Sequence, residues 1–155
     1  MNDPNAHVES IQKYLAVAVP EIDRINKIEK FSNGQSNPTY LLSTDSARYV
    51  LRSKPAGDLL KSAHAVEREY KVMKALEGTD VTVPRMLCLC ENEAVAGSIF
   101  FVMSYEEGRI FWDPVLPQLS TLERSTLYTQ KIQTLAALHS VDPGSVGLQG
   151  FGPMG

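Results

Sequence analysis

Two pairs of short apolar runs, each pair joined by a polar link, restrict this chain more than any other feature. Tyr40–Thr44 and Arg48–Arg52 flank Asp45-Ser46-Ala47, and Met86–Cys90 is linked to Ile99–Ser104 through Glu91-Asn92-Glu93-Ala94. Links this short suit antiparallel neighbours, since a parallel return needs a crossover of roughly a dozen residues or more. Between the pairs, after the break at Pro55-Ala56-Gly57, lies one helical segment, about Ser62 to Leu76. Its Ala63, Val66, Tyr70, Met73 and Leu76 form an apolar stripe, and Gly78 stands past its end as a C-cap.

The flanking segments complete the order. Val8, Ile11, Leu15 and Val19 have helical spacing, with Asp3 or Asn5 placed to cap that helix and Pro20 to end it. Ile25 to Phe31 reads as a strand, followed by the polar turn segment Ser32–Pro38. After Gly108 a Pro-containing linker, Trp112–Pro117, leads to a long helix over about Thr121 to His139. Ser120 and Glu123 have capping-box spacing at its start. The tail from Gly144 to Gly155 is Gly-rich, and no packed structure of its own is expected of it. The sequence predicts an α+β layer, an antiparallel sheet of about five strands with one packed helix, and not a Rossmann sheet. Residues 1–107 would form the sheet domain with its N-terminal helix, and residues 108–155 the linker, the long helix and the tail.

With 43% hydrophobic and 21% charged residues, the 155-residue chain can bury a core as one soluble unit. A formal net charge of −3 gives no general electrostatic case for nucleic acid or an anionic membrane. No apolar run approaches the roughly 20 residues of a membrane span. Met1–Asn5 lacks a signal-peptide pattern and Pro153-Met154-Gly155 is no peroxisomal signal, so an intracellular setting, cytoplasmic or organellar, is expected. Cys88 and Cys90 would share one strand face with Met86. Without a second Cys pair or a nearby His they read as buried, reduced thiols, and no metal site is expected.

Four elements carry chemistry-bearing residues. Gly34-Gln35-Ser36-Asn37 sits between two strands, where backbone N–H groups can lie over a phosphate, although an ordinary turn also fits. Arg52 ends an apolar strand, and strand alternation places it on the face of Val50, with Tyr49 and Leu51 opposite. Lys54 shares its parity but stands next to Pro55. At about 100° per residue, Glu69 falls between Met73 and Leu76 on the apolar stripe, while Glu67 and Arg68 point away. A carboxylate on the sheet-facing side of a helix needs a cation, and Arg52 is available. Such a pair can be purely structural. Finally, Phe100–Ser104 runs into Tyr105-Glu106-Glu107-Gly108, where backbone groups could meet an adenine edge or simply end a strand.

In this order and spacing, the stretches Gly34–Tyr40, Tyr49–Pro55, Ser62–Tyr70 and Phe101–Gly108 resemble the N-terminal lobe of the aminoglycoside phosphotransferase and choline kinase group, of protein-kinase-like fold. They look most like the phosphotransferase-like domain that precedes the dehydrogenase domain in certain large acyl-CoA dehydrogenases. Gly108–Pro114 and Leu138–Asp142 extend the likeness, which spans about Lys27 to Gly152. The resemblance implies that Gly34, Gln35, Ser36 and Asn37 cover the ATP phosphates. It also implies that Arg52 contacts those phosphates and pairs with Glu69, that Met103 lines the adenine pocket, and that Ser104 and Glu106 offer backbone atoms to the adenine edge. Many members carry lysine where Arg52 stands.

Phosphoryl transfer in that group uses a catalytic Asp, an Asn and a second Asp that holds Mg²⁺, in a His-Gly-Asp type loop and an Ile-Asp type strand. In that group both lie well C-terminal to the first large-lobe helix, and neither follows the helix over Thr121 to His139 within these 155 residues. His139 and Asp142 close a helix and do not substitute, so no catalytic residue and no Mg²⁺ ligand is assigned. The expectation is an ATP-binding part of a kinase acting on a hydroxyl, such as a hydroxyacyl-CoA, and inactive alone. A non-catalytic pseudokinase-like interaction module or a truncated gene product is the alternative. The long helix carries Leu122, Tyr128, Ile132, Leu135 and Leu138, a face through which self-association is expected.

Overall fold

A computed structural model describes residues 4–32, 37–55 and 65–152. The chain divides into two compact units, Met1–Lys74 with Pro84–Tyr105, and Ala75–Val83 with Glu106–Gly155.

The first unit opens with a 3-10 turn, Pro4–His7, which runs directly into helix α1, Val8–Ala18. Asn5 is not the N-cap of α1. The turn makes His7 the N-cap, and His7 gives no side-chain cap bond; Asp3 lies outside the described residues. Strands β1 (Ile25–Lys30), β2 (Thr39–Thr44), β3 (Arg48–Ser53), β4 (Met86–Cys90) and β5 (Phe100–Ser104) form one sheet in the order β1-β2-β3-β5-β4. Every neighbouring pair is antiparallel, the five-stranded layer expected above. Helix α2 is described over Val66–Leu76, and its expected start at Ser62 lies outside the described residues.

Alternation along β5 shows how the two faces are used. Phe100 and Val102 join a core with Ile11 and Leu15 of α1, Leu42, Leu51 and Tyr49. Phe101 points the other way, into a smaller cluster with Val66 of α2 and Met86, joined by Tyr70, Met73 and Met103. The sheet is thus covered by α1 on one face and α2 on the other. Tyr14 pins α1 through a hydroxyl bond to Leu89 O at 3.0 Å.

One expectation on β4 fails. Cys88 and Cys90 belong to the α1-side core, but Met86 belongs to the α2-side cluster. The pairing with β5 shifts between Met86 and Cys88, and such a bulge reverses which face the following residues present. Both thiols are reduced and buried. Burial, with Cys90 as the next contribution, pushes the Cys88 thiol up to about 12.

In the second unit, α3 spans Thr121–Ser140, and its capping box forms as the spacing predicts. Glu123 N donates to Ser120 Oγ at 3.3 Å, and Ser120 N donates back to Glu123 Oε2 at 2.8 Å. The Ser120 hydroxyl and amide hold the Glu123 carboxyl below its ordinary range. Within the tail, residues 144–152 form hydrogen-bonded turns, and none of them is buried. Asp142 accepts from the Gly144 and Ser145 amides, and Leu148 N donates to Pro143 O at 2.8 Å. A short polar side chain here organises successive turns that hydrophobic periodicity does not detect. No helix among the described residues is long and apolar enough to cross a membrane.

Candidate functional site

A cluster of polar side chains in the first unit lies where the β2–β3 hairpin meets α2. Thr39 and Arg52 are direct partners across that hairpin, so their side chains emerge on the same face. That face is the α2 side, because Arg52 is also opposite Phe101 of β5. Glu69 stands one turn into α2, on the flank beside Val66 and Met73. The helix is anchored through these apolar residues, which brings the carboxylate to the sheet.

The resulting contacts are specific. Arg52 Nε donates to Glu69 Oε2 at 2.6 Å, and Nη2 reaches Oε1 at 3.4 Å. This is a side-on, two-point approach that a guanidinium allows and an ammonium does not. Arg52 Nη1 donates to Thr39 Oγ1 at 2.9 Å, and the Thr39 hydroxyl donates to Asn37 O at 3.1 Å. Asn37 Nδ2 donates to Glu69 Oε1 at 2.7 Å. The four residues therefore close a ring of hydrogen bonds. Asn37 is buried, at 2% exposed, whereas the Arg52 and Glu69 side chains keep 27% and 37% of their surface in solvent.

Arg52 has five N–H donors, and three are used in these bonds. One N–H on each Nη has no partner among the described residues. A partly exposed guanidinium, oriented on one side and with two donors left over, fits a phosphate group. Among the described residues no group of three or more His, Cys, Asp and Glu side chains could hold a metal.

The other assigned residues fall as follows. Gly34, Gln35 and Ser36 lie outside the described residues. Met103 is on the α2 face of β5, opposite Val50 and Met86. Ser104 N donates to Arg85 O at 2.9 Å, and the Ser104 hydroxyl accepts from Arg85 N at 2.9 Å. This strand end is thus tied to the segment entering β4. Arg48 lies over the Tyr105 ring, 4.3 Å from its centroid. Glu106 is exposed and belongs to the second unit. His139 occupies the last turn of α3.

Glu67 does not point fully away, contrary to the expectation from helical phase. It is half-buried, and its Oε2 has no hydrogen-bond partner among the described residues. It occupies the α2 flank from which Lys74 reaches Met86 O at 3.1 Å. Sequence reading also missed Thr39. The signal was available, since the hairpin register pairs Thr39 with Arg52.

Comparison with known proteins follows the same stretch of chain. Residues 27–154 match the family described as the phosphotransferase enzyme family. The "Probable acyl-CoA dehydrogenase IBR3" of Arabidopsis thaliana is 48% identical over 134 residues, covering 83% of this chain and 16% of that protein. Acyl-CoA dehydrogenase family member 11 of Gallus gallus is 45% identical over 147 residues, covering 92% of this chain and 19% of that protein. The chain therefore spans less than a fifth of these relatives. A solved structure from Ralstonia eutropha, named for the aminoglycoside phosphotransferases, is 40% identical with a TM-score of 0.82, over 95% of this chain and 42% of that one.

Proposed function

The chain belongs to the phosphotransferase enzyme family, and we propose that its sheet-bearing unit binds the phosphates of ATP through Arg52. Its fold is the kinase-like one of the aminoglycoside phosphotransferases. The observation that carries the proposal is the Arg52 guanidinium, held by Glu69 and Thr39 with two N–H donors that have no partner among the described residues. ATP would supply the phosphoryl group. The chain's own part is to hold a cation against the phosphate charge, which favours the triphosphate by position and electrostatics. Asn37 and the preceding Gly34, Gln35 and Ser36 belong to the same phosphate side in this reading. Met103 belongs to the adenine side, as do backbone atoms of Ser104 and Glu106.

The reaction served would be phosphorylation of a hydroxyl on a small molecule. The acyl-CoA dehydrogenase names of the relatives favour a hydroxyacyl-CoA as that molecule. Residues 1–155 alone would bind nucleotide weakly and transfer nothing, because the resemblance puts the catalytic and Mg²⁺-binding carboxylates in a loop and strand that these residues do not show. The second reading is a nucleotide-binding or interaction module without catalysis. An intracellular setting, cytoplasmic or organellar, belongs to this reading.

Calorimetry with Mg-ATP on the 155-residue chain tests the site. Arg52→Ala should weaken binding by about tenfold or more, since a charge-assisted contact contributes roughly 1.5–3 kcal/mol. Equal affinity in the two proteins would refute the assignment. Phosphorylation of any hydroxylated compound by these residues alone would refute their inactivity.

A further inference from the structure

We propose that Asn37 and Thr39 are positioning residues for Arg52, holding its guanidinium in the orientation that serves phosphate. This rests on the reading of Arg52 as the phosphate contact. The geometry separates two tasks within the ring. Glu69 neutralises Arg52, but it grips only the Nε–Nη2 edge. A guanidinium held on one edge by a carboxylate that is itself 37% exposed can swing with that carboxylate. Two further bonds remove this freedom. Asn37 Nδ2 fixes Glu69 Oε1 at 2.7 Å, and Thr39 Oγ1 fixes the Nη1 end of Arg52 at 2.9 Å. The ring then closes on the Asn37 backbone through Thr39, at 3.1 Å. Asn37 is the one member of the ring almost wholly out of solvent. Water therefore has little access to replace its amide.

The chemistry of each position is constrained in a different way. Position 37 must donate to a carboxylate. Aspartate there would place two carboxylates within hydrogen-bonding distance, and such a pair shares one proton rather than carrying two charges. Position 39 must accept from Arg52 while donating to Asn37 O, which a hydroxyl can do and a methyl cannot. Serine therefore preserves the function and valine abolishes it, although valine keeps the shape and the β preference.

The test combines Mg-ATP calorimetry with the NMR resonance of the Arg52 Nε–H, which reports the ring without nucleotide. Wild type and Thr39→Ser should show a slowly exchanging Nε–H and equal affinity. Asn37→Ala and Thr39→Val should lose that protection and bind about tenfold more weakly. Asn37→Asp supplies a control within one folded sample. Its affinity relative to wild type should climb several-fold from pH 8 to about 5.5, as the shared proton lets the introduced carboxyl donate in place of the amide. The charged groups facing position 37 in this ring are Glu69 from α2 and Arg52 from β3. If Arg52→Ala weakens binding while Asn37→Ala and Thr39→Val bind as wild type, the positioning role is overturned and the phosphate reading stands. If wild type and Arg52→Ala bind alike, or neither binds, the phosphate reading fails and this inference with it.

Discussion

Replacing Arg52 by lysine keeps the positive charge and removes the planar fork. Three hydrogen bonds leave Arg52, two to Glu69 and one to Thr39. A single ammonium nitrogen can retain the short contact to Glu69, but it cannot span both carboxylate oxygens and also reach Thr39. The 3.4 Å bond is at the outer limit of a hydrogen bond and contributes little. The 2.9 Å bond to Thr39 is well formed, and a net contribution of about 0.5–1.5 kcal/mol is ordinary for such a bond. Both partners of the ion pair are about a third exposed, so water compensates part of the loss. A destabilisation of about 1 kcal/mol follows, or roughly 4 °C in melting temperature for a unit of this size. Because the remaining N–H donors lose their fixed orientation, Mg-ATP affinity should also fall about tenfold. Urea titration, thermal melting and calorimetry on the same samples measure all three. A lysine variant that melts and binds like wild type would refute the claim that the fork matters.

Phe101→Ala should cost about 3–5 kcal/mol in urea unfolding, because the ring is fully buried against Val66 and Met86; a loss below about 1 kcal/mol would contradict the packing. Cys88 should resist iodoacetamide in the native state and react after unfolding. Its thiol is raised to about 12 in the fold, so the unfolded chain releases this proton first as pH rises. Stability from Cys88 is therefore fully present below about pH 8.5 and declines progressively between there and 12, read by urea unfolding at stepped pH. On α3, Leu122 and Ile132 are 77% and 61% exposed, with Tyr128, Leu135 and Leu138 beside them. Light scattering of the 155-residue chain should show concentration-dependent association that Ile132→Glu reduces; a monodisperse monomer at all concentrations would count against it.

Local periodicity determined much about this protein. Period-two alternation along Tyr49–Arg52 and helical phase along Val66–Leu76 are properties of short stretches. Together they were enough to put Arg52 and Glu69 on facing surfaces. The capping box at Ser120 and Glu123 was legible for the same reason, since both partners lie within one helical turn. Tertiary structure decided what depends on contacts between distant segments. The placement of β5 between β3 and β4, and the bulge that separates Met86 from Cys88 and Cys90, follow from how strands pair. No residue pattern within β4 specifies either. The closure of the ring by Asn37 joins residues 32 positions apart. A carboxylate has several hydrogen-bond acceptors to satisfy, and which neighbour satisfies them is settled only when the hairpin and the helix are packed together.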